Sequence, residues 1–164
     1  MQMNYNKSQQ FVLVLLRIFI GWHFLYEGLI KLLSPTWSAK RYLMSSESFL
    51  DGFFEWLSAD GMIGIVNIMT IGLLVGVGLS LLLGLFEKWG IAAGIALLAL
   101  FYLAHPSIPG YESSAPTEGS YLIVNKNLIE MAALLVLWCF PSSKYFGLSQ
   151  LFNFSNSSKF ATKS

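Results

Sequence analysis

Four ionisable residues, Arg17, His23, Glu27 and Lys31, interrupt an otherwise apolar run near the start of the chain. On a helix they fall at roughly 0°, 240°, 280° and 320°, a single stripe about 120° wide, so they are expected to face inward together. In a later apolar run Asn127 and Glu130 differ by only about 60° in azimuth. Asn67 and His105 punctuate two further runs. Ionisable groups inside apolar spans are expensive, and each needs a partner or an aqueous cavity. Glu27 and Glu130 are therefore candidate proton relays, and Arg17, His23, Lys31, Asn67, His105 and Asn127 candidate ligand-binding groups. A local explanation stands beside this one. His23, Glu27 and Lys31 are spaced four apart, with Glu before Lys in the favourable order, so mutual neutralisation accounts for the same spacing. Lys31 and Arg17 can also snorkel towards opposite interfaces.

The elements that must hold these residues are set by composition. Of 164 residues, 55% are hydrophobic and 12% charged, against roughly 25% charged in a soluble domain. Apolar stretches around 11–33, 62–86, 89–104 and 122–140 are each about 16–25 residues long. The expected fold is an all-α membrane protein, a bundle of four transmembrane helices in one domain over 11–140, with a polar cytoplasmic tail at 141–164. The first stretch carries Arg17, Glu27 and Lys31 and is followed by no small-residue cleavage site. It is expected to remain as helix one and not to act as a signal peptide.

Basic residues orient the bundle. One side receives Lys7, Lys88, Lys144, Lys159 and Lys163, and the other Lys40, Arg41 and Lys126. Both termini are therefore expected in the cytoplasm, with the chain in a bacterial cytoplasmic membrane. Glu27, Lys31, Asn67, His105, Asn127 and Glu130 then lie at similar depth in the outer half, which predicts one shared pocket. The segment from Ser34 to Asp60 is too polar to span but rich in aromatics, among them Trp37, Tyr42, Phe53, Phe54 and Trp56. It is expected to form one or two short amphipathic helices at the outer face, either as a lipid anchor or as a lid over the pocket. The proline- and glycine-rich stretch from His105 to Tyr121 is expected to be a loop.

Other classes of function are excluded or weakened. A net charge of +1 without a dense basic cluster argues against nucleic acid. Cys139 is the sole cysteine, so the chain alone forms no dithiol relay or intramolecular disulfide, and a small buried hydrophobe is the plainer reading. Haem would need two axial ligands at matching depth, which His23 and His105 do not offer. No metal, flavin or iron–sulfur motif is present. Gly72, Gly76 and Gly78, with Gly90 and Gly94, have the small-residue spacing of closely packed membrane helices, within the bundle or between copies.

The run from Arg17 to Leu32, containing Gly21, Trp22, His23, Glu27, Gly28 and Lys31, resembles the DoxX/DoxD family of small membrane proteins, as do Trp37–Leu43, Phe53–Ser58 and Asn127–Met131. The resemblance covers about residues 11–140. It implies the four-helix architecture and an association with membrane redox complexes, such as a thiosulfate:quinone oxidoreductase, and it matches Arg17, Gly21, Glu27, Gly28 and Lys31 to the family's first-helix pattern. With the expected pocket, it points to a membrane subunit of a quinone-linked oxidoreductase. Lys31, Asn67, His105 and Asn127 would donate to the quinone head group, Glu27 and Glu130 would relay protons, and a partner protein would bring electrons. Two alternatives stay open. One is a non-catalytic anchor or assembly subunit for an extracytoplasmic redox partner. The other is a small-solute or proton-coupled transporter, which would require a homo-oligomer because no inverted repeat or interrupted helix is evident.

Overall fold

A computed structural model describes residues 5–46, 48–106 and 123–149. These residues are helical, with no strand among them: α1 (Lys7–Leu33), α2 (Lys40–Met44), α3 (Asp51–Ser58), α4 (Ile63–Leu83), α5 (Glu87–Ala104) and α6 (Lys126–Cys139). By length and composition α1, α4 and α5 can cross a membrane. They mark the chain as a membrane protein. Their outward faces carry Phe11, Phe19, Trp22, Ile65, Ile68 and Met69, the surface expected of helices solvated by lipid.

Local signals shift the helix ends from the expected bounds. α1 starts at Lys7 because Asn6 and Gln9 form a reciprocal capping box. α4 stops at Leu83 because Gly84 takes the left-handed conformation, with φ 65°. α5 begins at Glu87, two residues earlier than expected. The fourth expected span is shorter than 122–140. Asn125 caps it by accepting from the amide of Leu128, and Pro141 lies just beyond its end. At 14 residues, α6 is about 21 Å long.

α1 packs along α4, α4 on α5, α5 on α6, and α6 closes more sparsely on α1. Ile20 and Phe24, Leu74, Val77 and Leu81, Ile91, Leu97 and Leu98, and Leu134 and Leu137 form the bundle core. The α1–α4 contact depends on missing side chains: a Cβ on Gly78 would lie 2.5 Å from the backbone nitrogen of Leu25, and one on Gly28 would lie 2.8 Å from Val75 Cγ2. Gly72 and Gly76 do not take part. Both face open space on the outer side of α4, which corrects the expected packing within the bundle and leaves contact between copies untouched, since spacing alone does not say which face a residue occupies. Cys139 is likewise exposed, not buried.

At one end of the bundle Tyr5 meets Phe140 and Tyr145 edge-on. Residues 141–149, the start of the expected polar tail, dock on the α4–α5 turn there, with the amide of Leu148 donating to the carbonyl of Leu83 at 2.9 Å. At the opposite end α2 and α3 pack on α4 and α5 through Ala39, Leu43, Phe54 and Ala104. The loop expected at His105–Tyr121 lies outside the described residues beyond position 106, and the tail beyond 149 does as well.

Candidate functional site

Beneath α2 and α3 lies a cavity of about 320 Å³. Its walls are mostly apolar: Leu43, Phe53, Phe54 and Leu57 from α2 and α3, Val66 from α4, and Leu97, Leu100, Phe101 and Ala104 from α5. Polar groups reach it from α1 (Glu27, Lys31), the 34–44 stretch (Ser38, Tyr42), α4 (Thr70) and α6 (Lys126, Asn127). A smaller cavity of about 80 Å³ adjoins it at the α1–α6 seam, sharing Glu27, Lys31, Phe101, Lys126 and Asn127 and adding His23 and Glu130.

Both acids are engaged. Glu27 accepts from the Lys31 ammonium one turn further along α1, the i,i+4 pairing expected from the sequence. Lys31 also sits 5.8 Å from the Trp37 ring centroid, in a cation–π arrangement. Glu130 Oε1 lies 2.8 Å from His23 Nδ1, so the pair bridges α1 and α6. The side chain of His23 is 45% exposed and that of Glu130 12%. The ionisable stripe of α1 is therefore not uniformly inward: its width takes His23 to the seam with α6, while Glu27 and Lys31 border the cavity.

Arg17 belongs to a different place. It is 1% exposed and has not snorkelled to the surface. Nη2 donates to the carbonyl of Phe146 at 2.6 Å, while Nε and Nη1 have no hydrogen-bond partner among the described residues. Nearby, buried Glu87 accepts from the amide and hydroxyl of Ser142 and from the amide of Ser143 at 2.9–3.1 Å. This clasp ties residues 142–148 to the bundle end furthest from the cavity.

Asn67 and His105 border neither cavity. Asn67 Oδ1 accepts from the amide of Ala39 at 2.9 Å, and His105 Nε2 lies 3.0 Å from the carbonyl oxygen of Tyr42. The Tyr42 hydroxyl donates to the carbonyl of Phe101 at 3.0 Å. Burial holds the Tyr42 phenol well above its ordinary range, so it stays a neutral donor. These three contacts pin the segment that roofs the cavity, which makes Asn67 and His105 positioning residues. Of the eight residues singled out from the sequence, Glu27, Lys31, Asn127, His23 and Glu130 come together, and Arg17, Asn67 and His105 stand apart.

Lys126, Tyr42 and Ser38 were not singled out from the sequence. Lys126 counted there only as a loop charge, although its position one residue before Asn127 on a helix was the signal available. Chemically, the site offers ammonium and amide donors where a mainly apolar cavity meets a smaller one, with a second acid–base pair, His23 and Glu130, bordering the smaller one. No protein family, characterised protein or solved structure matches this chain.

Proposed function

We propose that the chain is a quinone-binding membrane subunit of an oxidoreductase, built as four spans with both termini in the cytoplasm of a bacterial cell. The observation that carries this reading is the cavity: about 320 Å³, within the usual range for small-molecule sites, mainly apolar, with charged and amide groups where it meets the smaller cavity. A flat ring with carbonyl oxygens and an isoprenoid tail has that same division. Phe53, Phe54 and Phe101, which line the cavity, would hold such a ring, and Lys31, Lys126 and Asn127 would donate to its oxygens.

α6 acts as the fourth span, with Leu134 and Leu137 fully buried in the common core. The lysine distribution sets the sidedness. It puts the docked tail in the cytoplasm and the cavity in the outer half, beneath an interfacial aromatic roof. The DoxX/DoxD resemblance is kept as part of this proposal on the first-helix residues. Bound quinone would supply the redox chemistry, with electrons from a partner protein. The chain's own acids, Glu27 and Glu130, would hold and pass protons, each through its hydrogen-bonded base.

Organic extraction of the protein purified in mild detergent tests this. Quinone near one per chain, lost in a cavity-filling Thr70→Trp variant that keeps its wild-type melting temperature, is expected. Quinone no more abundant than in bulk lipid would sink the reading.

A second reading, an anchor for an extracytoplasmic redox partner, draws on the outward apolar side chains of the roof, where Phe49, Trp56 and Met44 are all exposed. Pull-down after gentle extraction, compared with a Phe49→Ser, Trp56→Ser variant, separates the two.

A further inference from the structure

The groups left unengaged around the cavity are donors. Glu27 is taken by Lys31 and Glu130 by His23. Lys126, which borders both cavities, makes no hydrogen bond or ion pair with any described residue, and its side chain is exposed. Neighbouring Asn127, half-buried, makes no side-chain hydrogen bond among the described residues either. The larger cavity is thus bordered by two ammonium groups against one carboxylate, a surplus of one positive charge where it meets the smaller cavity.

The other polar groups on the larger cavity's wall, Ser38, Thr70 and Tyr42, are neutral. An ammonium bordering a mainly apolar cavity gains most from an oxygen that carries full negative charge, because charge-assisted hydrogen bonds are roughly twice as strong as neutral ones. A neutral carbonyl satisfies Asn127 but offers Lys126 only the weaker, neutral-acceptor contact.

We propose that Lys126, with Asn127 beside it, is the specificity-determining contact of this cavity and selects amphiphiles whose head group carries an ionised oxygen. The quinone identity rests on the preceding proposal. The chemistry selected, an anionic oxygen on an apolar body, is shared by ring-hydroxylated quinones and long-chain carboxylates.

Calorimetric titration of the full chain in phosphatidylcholine nanodiscs tests this with three probes. One is a 3-alkyl-2-hydroxy-1,4-naphthoquinone, ionised at neutral pH. The second is its 2-methoxy counterpart, neutral and of similar shape, and the third is a long-chain carboxylate. The hydroxy compound is expected to bind at least about ten-fold more tightly than the methoxy compound, the worth of one hydrogen bond to a charged group. Lys126→Gln should erase that ratio and Lys126→Arg should keep it. Equal affinities, a preference for the methoxy compound, or a ratio that survives Lys126→Gln would overturn the proposal. Carboxylate binding that depends on Lys126, without binding of either quinone, would uphold selection for an anion and overturn the quinone reading. No binding of any probe would overturn both.

Discussion

His23 Nδ1 stands 2.8 Å from Glu130 Oε1, and this contact bridges the most sparsely packed seam of the bundle, between α1 and α6. The α1–α4 seam closes on apolar side chains and glycines, whereas this one also brings an acid and an imidazole together.

The strength of that bridge is measurable by a double-mutant cycle. His23→Phe, Glu130→Leu and the double variant, unfolded in mixed micelles, are expected to show a coupling energy of about 0.6 kcal/mol, the average for polar contacts between membrane helices. A coupling of zero would mean that the pair is a proximity without a working interaction.

The glycines of α4 should divide by face. Gly78→Ala is expected to lower stability by about 1–3 kcal/mol, because the new methyl group meets the backbone of Leu25. Gly76→Ala, which meets nothing within 4 Å, should stay within about 0.5 kcal/mol of wild type. Equal losses would place α4 at a different rotation about its axis.

Removing the Glu87 carboxylate strands three donors and deprives Arg17 of a nearby negative charge. Glu87→Ala is expected to cost about 3–5 kcal/mol, as breaking a buried charged network does. The loss should appear first as faster amide exchange at residues 142–148, with exchange in the α1–α4 pair little changed.

Asn67 holds the cavity roof through one amide. Asn67→Ala should leave the Ala39 amide unsatisfied at about 1–2 kcal/mol, seen as raised exchange across residues 37–44. Ligand dissociation should quicken more than association slows. An unchanged exchange pattern would remove Asn67 from the positioning role.

Asp60 pairs with Lys40 at the surface, and this partner holds its carboxyl below the ordinary aspartate value, about 3.9. A depressed folded-state pKa gives stabilisation that is present above the unfolded value and is lost as the pH falls through the folded one. Lys40→Gln should raise the Asp60 titration midpoint, read by carbonyl NMR, and remove that acid-side loss. Asp60 is fully exposed, so the contribution is small.

Much of this was legible in the sequence where a period could be read. The α1 polar positions and the Asn127–Glu130 pair stood out because apolar surroundings made each polar residue an exception with a computable azimuth. Azimuth does not name the neighbour, however, so Arg17 was grouped with residues that the fold sends to the other end. Nor did the glycine spacing distinguish Gly78, which packs, from Gly72 and Gly76, which face outward. Glu87 gave no signal, because an acid in a helix's first turn is ordinary and its donors lie 55 and 56 residues further on. Asn67 and His105 were expected in the pocket but border neither cavity; they hold backbone groups of the segment above it, and backbone groups that need a partner are invisible in a string of letters.

The Glu87 clasp also orders assembly in time. Synthesis runs from the N-terminus, so α1, α4 and α5 can insert and pair before Ser142 and Ser143 have been translated. During that interval Glu87 lacks all three of its hydrogen-bond donors and Arg17 lacks its carbonyl acceptor. Docking of residues 142–148 ends that exposure, so a chain stopped short of them would present an unsatisfied acid and guanidinium at that end of the bundle. Quality-control proteases could read that as the mark of an unfinished protein.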